Sequence, residues 1–289
     1  MIVALKFFKS DANSQDTDKA LWKEFVRELT HLRNVFYHPH INQFIGITKG
    51  GDKFDYAMVL QYADGGNLQD FLANKSIPLT WSDNYRIALE ISEGLLCLHA
   101  EGIIQRDLHS KNVLIHQGKM LIADFGMSKE ESASFSNSKN KGRPAYMDPQ
   151  CFTQINYKRT KKSDIFSFGM ILWEISSRRV PFANLADFKV IMKIAVGDRE
   201  QRVDGTPEPY FQLYSKCWKS DPEERPDITE VVETLEHCYL EFGGDTLISI
   251  PKINLHSDIL NVSRIALSVP NSNTITSDLN YLINKDLCL

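Results

Sequence analysis

Asp107 and Asn112 stand in the stretch Gln105-Arg-Asp-Leu-His-Ser-Lys-Asn-Val-Leu114, polar residues between apolar flanks. That pattern predicts a loop that aims two side chains into one site. A carboxylate placed there accepts a proton from an attacking hydroxyl. The amide oxygen of an Asn suits a hard cation, since Mg²⁺ takes oxygen ligands. Asp124 closes the apolar run Leu121-Ile-Ala and is followed by Phe125 and Gly126, the glycine permitting a sharp turn. Its carboxylate would be a second cation ligand. One base and two metal-binding oxygens gathered between residues 107 and 124 are what phosphoryl transfer requires.

The surrounding elements must hold these groups in place. A strand is expected over 2–8, then a polar loop over 10–17. A helix is expected over 20–36, where Leu21, Phe25, Leu29 and Leu32 recur at helical spacing. Two further strands are expected over 42–48 and 56–62, separated by a Gly-containing turn. From Asn67 onward helical patterns dominate, over 67–74, 81–99, 163–177, 188–196, 208–218 and 228–242. The longest places Ile87, Ile91, Leu95 and Leu98 on one face. Between 103 and 129 short apolar pieces alternate with polar loops. A small strand-rich part followed by a larger helical part is an α+β architecture with two unequal lobes. After Gly243-Gly244 the composition shifts to Ser, Asn, Ile and Leu with no clean period. Residues 243–289 are read as a partly disordered tail.

With 289 residues there is room for one large domain or two small ones at roughly 100–200 residues per domain. Apolar residues make up 43% and charged residues 24%, an ordinary globular balance. A net charge of −4 advertises no nucleic-acid partner. No apolar run reaches the ~18 residues a membrane helix needs, and the N-terminus has no basic leader before its apolar stretch. Cys97, Cys151, Cys217, Cys238 and Cys288 are odd in number and widely spaced. They read as scattered thiols of a reducing, cytoplasmic compartment.

Taken in order, the singled-out residues resemble a eukaryotic protein kinase domain. Val3-Ala4-Leu5-Lys6 is similar to the V-A-I-K element, Asp107 and Asn112 to the catalytic loop, and Asp124-Phe125-Gly126 to D-F-G. Glu28 is placed like the acidic partner of that lysine, with Glu24 a competitor one turn away. Tyr146-Met-Asp-Pro-Gln150 stands where A-P-E belongs. Ser163-Asp-Ile-Phe-Ser-Phe-Gly169, Trp173-Glu-Ile with Pro181-Phe182, and Cys217-Trp218 followed by Asp221-Pro-Glu-Glu-Arg-Pro226 resemble the family's helical lobe. The resemblance covers about residues 2–240 and looks closest to the tyrosine-kinase-like branch.

It implies a bilobal α+β kinase-like domain over 1–242. A truncated, β-rich N-lobe would occupy about 1–62 and a helical C-lobe about 63–242. It implies ATP and Mg²⁺ as cofactors and a protein hydroxyl as acceptor, on Ser or Thr ahead of Tyr. Lys6 would hold the α- and β-phosphates, oriented by Glu28. Ala4 and Leu114 would sandwich adenine, Leu60 would gate the back of the pocket, and the backbone of Gln61 and Ala63 would bind the adenine edge. Asp107 would be the base or orienter, Asn112 and Asp124 would hold Mg²⁺, and Asp164 would anchor the catalytic loop from below. His38 and His40 fall in the loop after the first helix, where packing and capping roles are expected. The implied partners are a protein substrate and ATP, with no nucleic acid and no membrane insertion; the oligomeric state stays open.

Several positions depart from the family pattern. No Gly-rich hairpin stands before Val3, where the family covers the phosphates with backbone N–H groups. The Lys6 strand is therefore expected at a sheet edge. Three readings stay open: a working kinase, a pseudokinase-like binding or scaffold module, and an N-terminally truncated fragment. Gln105 replaces the His of H-R-D and is expected to tie the loop less firmly. Gln150 replaces the Glu of A-P-E. Its partner Arg225 is then expected to face a neutral amide, and a lost buried ion pair costs ~3–5 kcal/mol. His109, Lys111 and Arg143 blur Ser/Thr against Tyr specificity. Ser128, Ser132, Ser134, Ser136 and Ser138 are candidate phosphorylation sites whose phosphate would pair with Arg106.

Overall fold

Apolar residues alternating with exposed ones build the first layer. A computed structural model describes residues 2–7, 25–26, 28–49, 56–126, 128–130 and 142–242. In it β1 (Val3–Phe7), β2 (Phe44–Lys49) and β3 (Tyr56–Gln61) form an antiparallel sheet in the order β1-β3-β2, with β1 at one edge. Leu5 and Phe7 of β1 point outward, while Ala4 and Lys6 take the inner face. Helix α1, described at 25–26 and 28–35, buries Phe25, Leu29, Leu32 and Val35. Leu21, on the expected helix face, lies outside the described residues.

The helical part starts with α2 (Leu68–Ala73), whose Asn67 cap accepts the Asp70 N–H. The long α3 (Trp81–Ala100) follows, opened by a reciprocal cap between Thr80 and Asp83. Two short antiparallel strand pairs then carry the chemistry-bearing loops. Strands β5 (Val113–His116) and β6 (Lys119–Ile122) pair with each other, and β4 (Ile103–Ile104) pairs with β7 (Lys129–Glu130). Helices α4 (Gln150–Thr153), α5 (Lys161–Ser177), α6 (Asp187–Ala195), α7 (Glu208–Cys217) and α8 (Ile228–Glu241) complete the lobe. α5 is buried on almost every side and is the axis of the core. It starts two residues earlier than the helical pattern over 163–177 predicts, because Thr160 caps it: the Thr160 hydroxyl accepts the Lys162 N–H, and the Thr160 N–H donates to the Ser163 hydroxyl.

Residues 38–42 join the two parts. Asn42 N–H donates to Ile122 O, and Ile122 N–H donates to His40 O, both at 2.9 Å. The His40 ring bonds Met120 O at 3.0 Å and the Glu93 carboxylate at 3.1 Å. His40 thus has a packing and bridging role between the lobes. Residues 243–289, the expected tail, lie outside the described residues.

Candidate active site

The register of the sheet sets the upper wall. Lys6 lies opposite Met58 and Ala4 opposite Leu60, and directly opposed residues of an antiparallel pair share a face. Lys6 Nζ sits 2.7 and 2.8 Å from the two carboxylate oxygens of Glu28 and 2.8 Å from Asp124 Oδ1. Burial pulls the Lys6 ammonium down, but Glu28 and Asp124 outweigh it and leave its pKa above the ordinary lysine value. Of the two acidic candidates, Glu28 is the one paired; Glu24 lies outside the described residues.

The lower wall is the loop between β4 and β5. Arg106 (φ 68°) and Asp124 (φ 60°) both hold left-handed backbone conformations, which cost a non-glycine residue about 1–2 kcal/mol and cluster at functional sites. Asp164, from the first turn of α5, holds Arg106 in place. Its fully buried carboxylate accepts the N–H groups of Gln105 and Arg106 and bonds the His99 ring, each at 2.9 Å. Arg159 donates to Arg106 O at 2.6 Å from the other side. Gln105 is fully buried and bridges the two chemistry-bearing segments. Its Oε1 accepts Asp107 N–H at 2.6 Å, and its Nε2 donates to Asp124 O at 3.0 Å. An amide can both accept and donate across this gap, so the residue expected to tie the loop less firmly links its backbone to that of Asp124.

Within this frame Asn112 Nδ2 donates to Asp107 O at 3.0 Å. Its amide nitrogen also lies 3.3 Å from Asp107 Oδ2, so the amide oxygen is the atom of Asn112 that could take a cation. Burial, then repulsion from Asp124, pushes the Asp107 carboxyl up to about 6. Asp124 is half-exposed. Burial works against its ionisation, but the Lys6 ammonium and the Gly126 N–H hold its pKa below the ordinary carboxylate value. One carboxylate and one amide oxygen form a hard-donor pair that fits Mg²⁺, an ion that keeps few protein ligands and takes the rest from phosphates and water. Among the described residues no group of three or more His, Cys, Asp or Glu is placed to hold a metal ion.

The remaining predicted residues spread over both walls. Leu60, behind Ala4, packs against the core. Gln61 and Ala63 lie where the chain leaves β3 for α2, and Leu114 lies half-buried on β5, bridged to Asn67. Ser128 is fully buried and its hydroxyl donates to Gln105 O at 3.3 Å, so it is no accessible phosphate acceptor. Ser132, Ser134, Ser136 and Ser138 lie outside the described residues.

The segment after residue 142 corrects one expectation and adds a residue that the sequence reading missed. Arg225 does not face a neutral amide. Its guanidinium makes a two-pronged ion pair with Asp148, Nη1 to Oδ2 at 2.7 Å and Nη2 to Oδ1 at 2.9 Å, both side chains fully buried. Gln150 instead donates to Ser220 O at 2.8 Å. No signal in the sequence named Asp148, since the family pattern directs attention to position 150. Glu174 was also missed as a site neighbour. It is buried beneath Tyr146, whose hydroxyl donates to it at 2.6 Å, and Ser110, which donates at 2.9 Å. Burial pushes its carboxyl up to about 7.

Sequence comparison agrees with this geometry. A profile of the protein tyrosine and serine/threonine kinase family matches residues 1–235. The chain belongs to that family, on its tyrosine-kinase-like branch. It is 32% identical over 238 residues to the serine/threonine/tyrosine-protein kinase HT1 of Arabidopsis thaliana, covering 81% of this chain and 60% of that protein. It is 32% identical over 231 residues to mitogen-activated protein kinase kinase kinase 7 of Homo sapiens, covering 77% of this chain and 37% of that protein. A probable LIM domain-containing serine/threonine-protein kinase of Dictyostelium discoideum is 32% identical over 236 residues, 81% of this chain and 24% of its own length. The chain thus spans between a quarter and three fifths of the length of these relatives. Proteins of this family use ATP and Mg²⁺. Among the described residues no helix is long and apolar enough to cross a membrane.

Proposed function

We propose that this chain transfers the γ-phosphate of ATP to a protein hydroxyl, on Ser or Thr ahead of Tyr. The observation that carries the reading is the Lys6–Glu28–Asp124 constellation, with Lys6 within 2.8 Å of both carboxylates. It is tied through Gln105 to the loop bearing Asp107 and Asn112. Lys6, kept charged by its two acids, would grip the α- and β-phosphates. Ala4, Leu60 and Leu114 would enclose the adenine, and the backbone of Gln61 and Ala63 would bind its edge. Asp107 would orient the acceptor hydroxyl and take its proton at a carboxylate oxygen. Asn112 and Asp124 would hold Mg²⁺, which neutralises phosphate charge when bound. The Ser/Thr preference is supported by the names of the relatives. Cys97, Cys151, Cys217 and Cys238 are unpaired, which supports the cytoplasmic reading.

The test is transfer of labelled γ-phosphate from Mg·ATP to a mixed panel of protein substrates. The wild-type chain is expected to transfer, and Asp107→Asn is expected to lose about 10²–10⁴-fold, the range for a positioned acid–base group. Lys6→Ala is expected to weaken nucleotide binding as well. Transfer that survives Asp107→Asn undiminished overturns the assignment of the base. Nucleotide binding without transfer by the wild-type chain favours a binding module instead.

A further inference from the structure

The buried ion pair at Arg225 has moved along the chain, and its new position has consequences for the substrate side of the site. Arg225 has five N–H groups, and all five are used. Nε donates to Lys219 O, Nη1 to Lys162 O and Asp148, and Nη2 to Ser220 O and Asp148. Asp148 is equally saturated. Besides the guanidinium it accepts the Tyr157 hydroxyl at 3.0 Å, the Ser163 hydroxyl at 2.8 Å and the Gln150 N–H at 3.0 Å. Five hydrogen bonds from four residues converge on one fully buried carboxylate. Removing one member of such a pair strands the other charge away from water.

What Asp148 holds is the segment running back to the catalytic loop. Tyr146 O accepts the Ser167 hydroxyl at 2.7 Å, and the Tyr146 hydroxyl lies 3.2 Å from Ser110 Oγ. At the far end Gly142 comes so close to Asp107 that a Cβ there would lie 3.3 Å from Asp107 Oδ1. Residues 142–148 therefore form a shelf whose one edge borders the proposed base and whose other edge is pinned by Asp148 to α5 and to Arg225.

We propose that Asp148, rather than residue 150, is the anionic anchor that positions this shelf for a polypeptide substrate beside Asp107. Asp148 is a positioning residue, since it touches neither substrate nor nucleotide. The inference rests on the kinase reading for its catalytic readout but not for its structural one. The pairing predicts that a carboxylate transposed to position 150 takes over when Asp148 is lost, because Gln150 already reaches Ser220 O, an acceptor shared with Arg225.

The experiment compares Asp148→Asn, Asp148→Ala, Gln150→Glu and the double variant Asp148→Ala/Gln150→Glu in the full chain. The readouts are steady-state kinetics with a protein substrate and amide hydrogen exchange over residues 142–150. Asp148→Asn and Asp148→Ala are expected to raise KM for the protein substrate about 10-fold or more, within the range that small misplacements produce. KM for ATP should move less than about 2-fold, because Lys6, Glu28 and Asp124 are tied to one another by their own ion pairs. Exchange at 142–150 should quicken in both variants, and the double variant should reverse both effects. Wild-type exchange and KM in Asp148→Asn overturn the proposal, as does a double variant that behaves like folded Asp148→Ala. If the wild-type chain transfers no phosphate, the kinase reading fails, and the exchange data alone still decide whether Asp148 anchors the shelf.

Discussion

Glu174 shows how a single buried carboxyl makes stability depend on pH. It receives two hydroxyl hydrogen bonds, from Tyr146 and Ser110, in a setting that burial makes hostile to charge. Its folded-state value of about 7 lies above that of an unfolded Glu, so the folded chain binds this proton more readily than the unfolded one. The stabilisation is complete below about pH 4.5 and is lost as pH rises through about 7. Glu174→Gln keeps an acceptor for one hydroxyl and removes the titration. Urea denaturation at pH 5 and pH 8 is expected to show the variant gaining on wild type by on the order of 2–3 kcal/mol as pH rises, at about 1.4 kcal/mol per unit. Parallel pH profiles would refute this. Glu174 was not legible as a titrating group, because a Glu following a Trp on a helical pattern says nothing about what lies above it. Asp107, Asn112 and Asp124 stood out as candidates because each is a polar residue beside an apolar run, whereas Lys6 stood out only through the resemblance of Val3-Ala4-Leu5-Lys6 to the family's element. Asp148 was hidden by the family pattern itself, which directs attention to position 150. Only the distance from Arg225 shows which side chain carries the charge.

At the scale of elements, α5 matters most, and its N-terminal turn does the positioning. Asp164 lies in that turn, where the helix macrodipole favours a negative charge. It gathers the backbone of Gln105 and Arg106 and the ring of His99, which comes from α3. Two helices and the catalytic loop thus meet at one carboxylate. Asp164→Ala leaves two backbone N–H groups unpaired in the interior and frees Arg106 from its left-handed conformation. The expected loss is about 3–5 kcal/mol, the cost of breaking a buried charged network, measured by denaturant unfolding. Asp164→Asn, which keeps one acceptor, should lose less. Equal stability of Asp164→Ala and wild type would show that the loop is held by other means. The helices were the most legible elements. Their apolar period placed α3, α7 and α8 within a residue or two of their observed ends. α5 was read from a helical pattern over 163–177 and came out two residues short at its start, where a helix buried all round has little periodic signal to mark its end. The two-residue strands β4 and β7 were not separable from loop, because a pair that short has no period to read.

For the whole molecule, the decisive feature is how the sheet lobe is attached to the helical lobe. Two unequal parts were evident in the sequence, but the joint between them was not, since His-Pro-His followed by Ile-Asn carries no pattern that names its partners. The structure puts residues 38–42 against β6 and α3, with Gly94 of α3 directly beneath His40. A Cβ at position 94 would lie 2.7 Å from His40 O, 3.1 Å from Ile122 Cδ1 and 3.3 Å from His40 Cβ. The nearest of these is a backbone carbonyl already accepting the Ile122 N–H, so it cannot retreat without breaking the joint. Ile122 leads directly to Ala123 and Asp124, and the other side of the joint leads back along α1 to Glu28. A shift here therefore changes how Glu28 and Asp124 face Lys6. Gly94→Ala gains about 1 kcal/mol of helix propensity, but overpacking against backbone costs more. A net loss of about 1–2 kcal/mol is expected, since overpacked cores typically lose 1–3 kcal/mol. Mg·ATP affinity, read by titration calorimetry, should fall with it. Gly46→Ala is the matched control: a Cβ at position 46 in β2 meets nothing within 4 Å, so the same substitution there should leave both stability and affinity near wild type. If the two variants bind nucleotide alike, the joint does not align the site, and Lys6, Glu28 and Asp124 are held in register by their own ion pairs alone.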